Sequence, residues 1–166
     1  MMDISSFKCP VPPEQRPLNE YQALKESWFF GWVTLTKWQY ISKLIWVWAG
    51  AWIVAGPVAA ASFAPMKYPG YFLLSSGAGA GLIMSLAVLR LYLGWYYVRD
   101  RLYKQIVVYE ESGWYDGQTW TKPPEIIAQD RLIVAHQIKP IFQRLHRTWA
   151  MLGIFILAGS LTWYLL

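Results

Sequence analysis

The sequence predicts a mainly α-helical membrane protein with three transmembrane helices. Three observations carry that reading. Of 166 residues, 55% are hydrophobic and 15% charged, against roughly 45–50% and about 25% in soluble domains. Residues 44–64, 71–89 and 149–166 form runs without a single charge, each within the ~17–25 residues needed to cross a bilayer core. Finally, 11 Trp and 11 Tyr supply amphipathic rings of the kind that collect at headgroup level. Around the spans, an N-terminal interfacial amphipathic helix is expected, with a small β-hairpin plus helix between spans two and three.

The N-terminal arm, residues 1–43, divides in two. Pro10, Pro12, Pro13 and Pro17 hold its first part extended, because proline removes a backbone donor and biases the residue before it away from helix. LNEYQALKESWFFGWVTLTKW then predicts a helix capped by Asn19, with Gln22 in the capping-box position. Tyr21, Leu24, Trp28, Trp32 and Leu35 would share one face. Such a helix, placed just before a span, is expected to lie in the membrane interface.

Residues 44–97 form the predicted transmembrane hairpin. LIWVWAGAWIVAGPVAAASFA, residues 44–64, would extend about 31 Å as a helix, with a kink at Pro57 that neighbouring groups in lipid can tolerate. The second span, YFLLSSGAGAGLIMSLAVL, pairs Gly77 with Gly81 in a GxxxG spacing. Ala51, Ala55 and Ala59 offer small residues at the same pitch in the first span. Small side chains let helix backbones approach closely in lipid, so these positions are read as packing sites, within the chain or against a partner. Arg90 closes the second span and either snorkels to headgroups or meets a lipid phosphate or a partner's carboxylate.

Residues 98–148 hold the long loop. YKQIVVY (103–109) and QTWTK (118–122) read as paired strands. Of the turn dipeptides between them, Asp116-Gly117 is preferred over Ser112-Gly113, since aromatics flank it on both sides. Residues 125–147 read as a helix that Pro140 should kink or split, leading into the third span, 149–166.

Charge fixes the expected orientation. Five Lys/Arg lie in residues 1–43 and eight in 98–148, while only Lys67 lies between the first two spans. The positive-inside rule places both basic segments in the cytoplasm or stroma. The same distribution explains the net charge of +5 without nucleic acid, since the cations flank apolar spans and form no long run. Cys9 is alone, which excludes an intrachain disulfide or a CxxC site. MMDISSFKCPVPPEQRP has no apolar stretch and does not read as a secretory signal.

No catalytic constellation emerges. His136 and His146 are ten apart and match neither an HExxH nor a Glu-x-x-His spacing, so no metal site is predicted and no cofactor is identified. His146, with Arg90, is read as a lipid or pigment contact at the membrane surface. The chemically richest stretch is VVYEESGWYDGQTWTKPPE, residues 107–125. Adjacent Glu110 and Glu111 would point to opposite sides of a strand, which argues against an acid–base pair or a cation site. Partner binding is the expected role, with Trp114, Tyr115 and Trp120 as aromatic anchors and Glu110, Glu111, Asp116 and Arg131 setting register.

CPVPPEQRPLNEYQALKESWFFGW and YEESGWYDGQTWTKPPEIIAQDRL resemble the two signature blocks of a cyanobacterial and plastid membrane protein family, hypothetical chloroplast reading frame thirty-six, which has nucleus-encoded green-lineage relatives. The resemblance runs nearly the full chain. It implies a photosynthetic setting, with a thylakoid membrane expected, and loose links to chloroplast function and iron status. It supplies no catalytic residues. The expected function is therefore a non-enzymatic accessory protein, contacting membrane lipids and a photosynthetic or other thylakoid complex and assisting its assembly or stability. The alternative is a small protein handling a pigment, lipid or iron species, as enzyme or carrier.

Overall fold

The computed structural model of the chain describes residues 9–110 and 117–165. Along them run α1 (Pro17–Glu26), α2 (Lys37–Ser62), α3 (Pro69–Tyr103), β1 (Ile106–Tyr109), β2 (Gln118–Thr121), α4 (Pro124–Ile133) and α5 (Lys139–Leu165). Three helical stretches are long and apolar enough to cross a membrane: α2, α3 and the continuous rod Pro124–Leu165. At 1.5 Å per residue, α3 is about 52 Å long and outruns a ~30 Å hydrocarbon core. Its last turns, which continue past residue 97 to Tyr103, therefore stand beyond the apolar run and carry the hairpin.

α3 is the spine. Its buried residues recur at spacings of three and four from Ser76 through Ala80, Met84, Val88, Leu91 and Trp95 to Leu102, one stripe of a 3.6-residue helix. At its polar half this stripe packs with Val33, Ile138 and Leu145 into the main core. At its other half the contact is made by small residues, Ala80 meeting Ala51 and Ala55 of α2. There an added Cβ on Gly79 would stand 3.1 Å from the Ala55 Cβ, so the backbones run close. At the far end, Trp163 of α5 meets the rings of Phe63 and Tyr71 edge-on. All three long helices thus run alongside one another to the same end.

Three expectations change shape. The predicted amphipathic helix stops at Glu26. The chain then turns through Gly31–Thr34, with the Gly31 N–H donating to the Ser27 carbonyl at 2.8 Å. A Cβ at Gly31 would lie 2.4 Å from the Lys25 carbonyl oxygen, so this close approach needs glycine. The consequence is that Trp28 is 88% exposed and Trp32 only 7%, and they do not share a face. Asn19 is not the cap; it lies inside α1, whose first turn is opened by Pro17. The capping box belongs instead to Thr36 and Gln39 at the start of α2.

The two prolines expected to disturb helices act differently. α2 runs through Pro57 unbroken. Ahead of Pro140 the rod widens into a π-helical turn, Val134–Ile138, where the Lys139 N–H reaches five residues back to the Val134 carbonyl. Proline has no N–H and its ring collides with the carbonyl four residues earlier. One extra residue in the turn relieves both conflicts without breaking the rod.

The hairpin is antiparallel, pairing Ile106 with Thr121, Val107 with Trp120 and Tyr109 with Gln118. The ladder ends at the Tyr109–Gln118 pair; Asp116 of the expected Asp116-Gly117 turn, like Ser112-Gly113, lies outside the described residues.

Candidate functional site at the base of the hairpin

The hairpin is fastened to the end of α3 and to the N-terminal arm by three sets of polar contacts, and each follows from local chemistry. Lys122 is the first residue past β2. Its N–H extends the ladder to the Gln105 carbonyl at 2.9 Å, which turns its side chain inward. There the ammonium donates to the Arg101 and Leu102 carbonyls at 3.0 and 3.1 Å and to Asp130 Oδ2 of α4 at 2.5 Å. The last carbonyls of a helix have no intrahelical donor and sit at the negative end of its dipole, so a lysine fits them with all three of its protons. The Lys122 and Asp130 side chains are only 1% and 5% exposed.

Arg101 makes the second fastening. One guanidinium nitrogen donates to Glu20 Oε1 at 2.7 Å and to the Tyr97 hydroxyl at 2.8 Å. The other donates to the carbonyls of Gln15, at 2.9 Å, and Val108, at 3.3 Å. Its planar fork thereby joins the N-terminal arm, α1, α3 and β1. Burial pushes the Glu20 carboxyl above the usual carboxylate range, and the Arg101 charge opposes that shift only in part. The third fastening is Gln15, whose amide accepts from the Glu110 N–H and donates to the Glu110 carbonyl, both at 2.9 Å. It gives β1 the two bonds that a neighbouring strand would give.

A second girdle of polar contacts holds the α1–α2 connection over the start of α5. The Tyr40 hydroxyl and Thr148 Oγ1 are 2.7 Å apart. Arg144 donates to the Val33 carbonyl at 3.1 Å and also to that of Leu35, and the Tyr21 hydroxyl donates to Gln137.

Of the expected partner-binding residues, Trp114, Tyr115, Glu111 and Asp116 lie outside the described residues. Trp120 packs with Cys9 against a small cluster of Val11, Val107 and Tyr109. Glu110 is exposed and engaged through its backbone, as above. Arg131 sits over the Tyr103 ring at 5.7 Å. Arg90 lies over the Phe30 ring at 5.4 Å. His146 is exposed and meets Tyr92 edge-on at 5.9 Å, beside Phe142, over which Arg99 is placed at 5.4 Å. Ala51 and Ala55 are buried against α3, whereas a Cβ at Gly77 or Gly81 would meet nothing within 4 Å. No cluster of metal-ligating side chains occurs among the described residues.

Sequence reasoning missed the Lys122–Asp130 and Glu20–Arg101 pairs and the role of Gln15. The one available signal was the cluster of arginines, Arg99 and Arg101, just past the second span. Arg101 ties the hairpin through the Val108 carbonyl and Glu20.

A family model described as CGLD27-like, conserved in the green lineage and diatoms 27, matches residues 9–151. The chain belongs to the CGLD27-like family. Among its CGLD27-like relatives, a chloroplastic protein of that name from Arabidopsis thaliana is 45% identical over 93% of this chain. This chain spans 47% of that protein's length. The uncharacterized protein ycf36 of Porphyra purpurea is 39% identical over 98% of this chain and 99% of its own. That of Cyanophora paradoxa is 39% identical over 93% and 95%. The family resemblance read from the two sequence blocks is thus confirmed. The relatives' chloroplastic setting and the three apolar helices are compatible with a plastid-type membrane location. No solved structure matches the chain.

Proposed function

We propose that this CGLD27-like chain is a non-enzymatic accessory protein of a thylakoid-type membrane, assisting assembly or stability of a photosynthetic membrane complex. The observation that carries the reading is the outer part of α5. From Ile154 to Leu161 its large side chains are left uncovered by the rest of the chain, with Phe155 76% and Leu157 70% exposed. In lipid, a helix with so little internal contact is free to pack against a partner helix. The polar fastenings support the same reading from the other end. They fix β1 and β2 against α3 and the N-terminal arm, so a partner docking on the hairpin strands would meet a rigid mount, with less ordering cost.

Co-purification in mild detergent from membranes of a cell that makes the protein tests this. A stable complex, identified by mass spectrometry, is the expected result. Recovery of the chain alone, or with a bound pigment or iron visible in its absorbance, would favour the carrier reading and overturn this one.

A further inference from the structure

A groove of about 780 Å³ runs between α1, the Gly31–Thr34 turn, the start of α2 and the π-helical turn. Its walls carry Lys25, Lys43 and Glu26, with Tyr21, Trp32 and Gln137 beside them. Lys43 stands one residue before the uncharged run 44–64, so the groove opens at the level where lipid headgroups meet the apolar slab. Among the described residues neither lysine has a carboxylate within 4.0 Å. Two cations against one acid leave a single net positive charge in the lining, the complement of a monoanion. The Tyr21 hydroxyl is spent on the Gln137 carbonyl oxygen, which leaves the Gln137 amide nitrogen as a further donor at the groove.

Below Lys43 on the same face of α2, at helical spacing, come Trp46, Gly50 and Val54. Trp46 and Val54 are exposed, and no atom lies within 4 Å of the Cβ position at Gly50. An apolar notch at Gly50, between exposed Trp46 and Val54, thus lies on the face of α2 that carries Lys43.

We infer that this groove and notch bind one anionic diacyl lipid, its monoanionic headgroup between Lys25 and Lys43 and an acyl chain along Gly50. Headgroup recognition is electrostatic, and the lysine stems lie along apolar wall while their ammonium groups reach the headgroup. The inference rests on the membrane-crossing part of the proposed function and on none of its partner.

Native mass spectrometry of the delipidated full chain, titrated with phosphatidylglycerol or phosphatidylcholine, tests it. Bilayer integration is checked separately by alkaline extraction of the same preparation, so a failure of insertion is distinguished from a failure of lipid choice. The wild type should retain one phosphatidylglycerol with about a fivefold preference over phosphatidylcholine, from one uncompensated cation near the headgroup. Lys25→Gln with Lys43→Gln should abolish the preference, while Lys67→Gln, at the opposite end, should leave it intact. Gly50→Phe, which keeps both lysines and fills the notch, should weaken retention of phosphatidylglycerol. An unchanged preference in the double variant, equal retention of the two lipids by the wild type, unchanged retention in Gly50→Phe, or displacement by excess inorganic phosphate would each overturn the inference, the last by marking a free-anion site.

Discussion

Lys122→Met puts the hairpin fastening to the test. The substitution keeps the length and apolar bulk of the side chain and removes only its charge and three donors. Asp130, 5% exposed, would then be buried without a cation, and the Arg101 and Leu102 carbonyls would lose their shared donor. Removing one partner of a buried ion pair costs about 3–5 kcal/mol. The loss should fall on local opening of β2 and α4 away from α3, since the apolar contacts of the long helices are untouched. At about 1.4 kcal/mol per tenfold, it raises the population of the opened state by roughly two to three and a half orders of magnitude. Limited proteolysis in detergent reads that population when opening and closing are fast relative to cleavage. Cleavage within residues 117–133 should therefore accelerate about a hundredfold or more, until it reaches the rate of the free peptide. Lys122→Met combined with Asp130→Leu removes both charges and should recover most of the protection. Cleavage within about threefold of wild type in the single variant, or no recovery in the double, would refute the reasoning.

Further outcomes follow from the same geometry. Gln15→Ala removes two hydrogen bonds to Glu110 and should weaken the edge of β1 by about 1–2 kcal/mol, seen as faster amide exchange at Glu110. Gly31→Ala should destabilise by about 1–3 kcal/mol, because the methyl group meets the Lys25 carbonyl and backbone cannot step aside. Thermal melting checks it, with Gly50→Ala as the unstrained comparison. Gly77→Leu meets open space in the chain and should leave melting unchanged. If that face of α3 seats a partner helix, the variant should abolish co-purification, and unaltered recovery would exclude it. Glu20 sets a pH dependence. Its carboxyl titrates higher folded than unfolded, so the folded state holds the proton more tightly. Stability from this group is then full below the unfolded carboxylate value and is lost as pH rises through the raised folded value. Glu20→Gln should flatten that part of the stability–pH profile, and an unchanged slope would count against the burial of this group.

Much of the helical architecture was legible because it depends on local pattern. Uncharged runs marked α2, α3 and α5, and β-branched residues marked β1. Pro140 announced a disturbance, and the rod absorbs it in a π-helical turn without splitting. The errors lie where a long-range contact overrides local periodicity. Tyr21, Trp28 and Trp32 have the spacing of one helix face, yet Phe30 packs against α3, where Trp95 donates to its carbonyl at 3.2 Å. The chain must fold back at Gly31 to put it there. The packing of paired Val107 and Trp120 over Val11 of the N-terminal arm is likewise a long-range contact that no local pattern announces.

The candidate site was less legible for the same reason. Lys122 and Asp130 are eight residues apart across two prolines, and nothing in their spacing says that they meet at the end of α3. By itself, the sequence determined which segments are apolar enough to enter a bilayer, where charge and aromatic rings bound them, and the family. These are properties of composition and short-range order. The tertiary structure alone decided which cations are buried, which backbone groups they satisfy, and which apolar faces α5 and α2 leave uncovered. Those outcomes depend on distances between segments far apart in the chain, and only packing sets them.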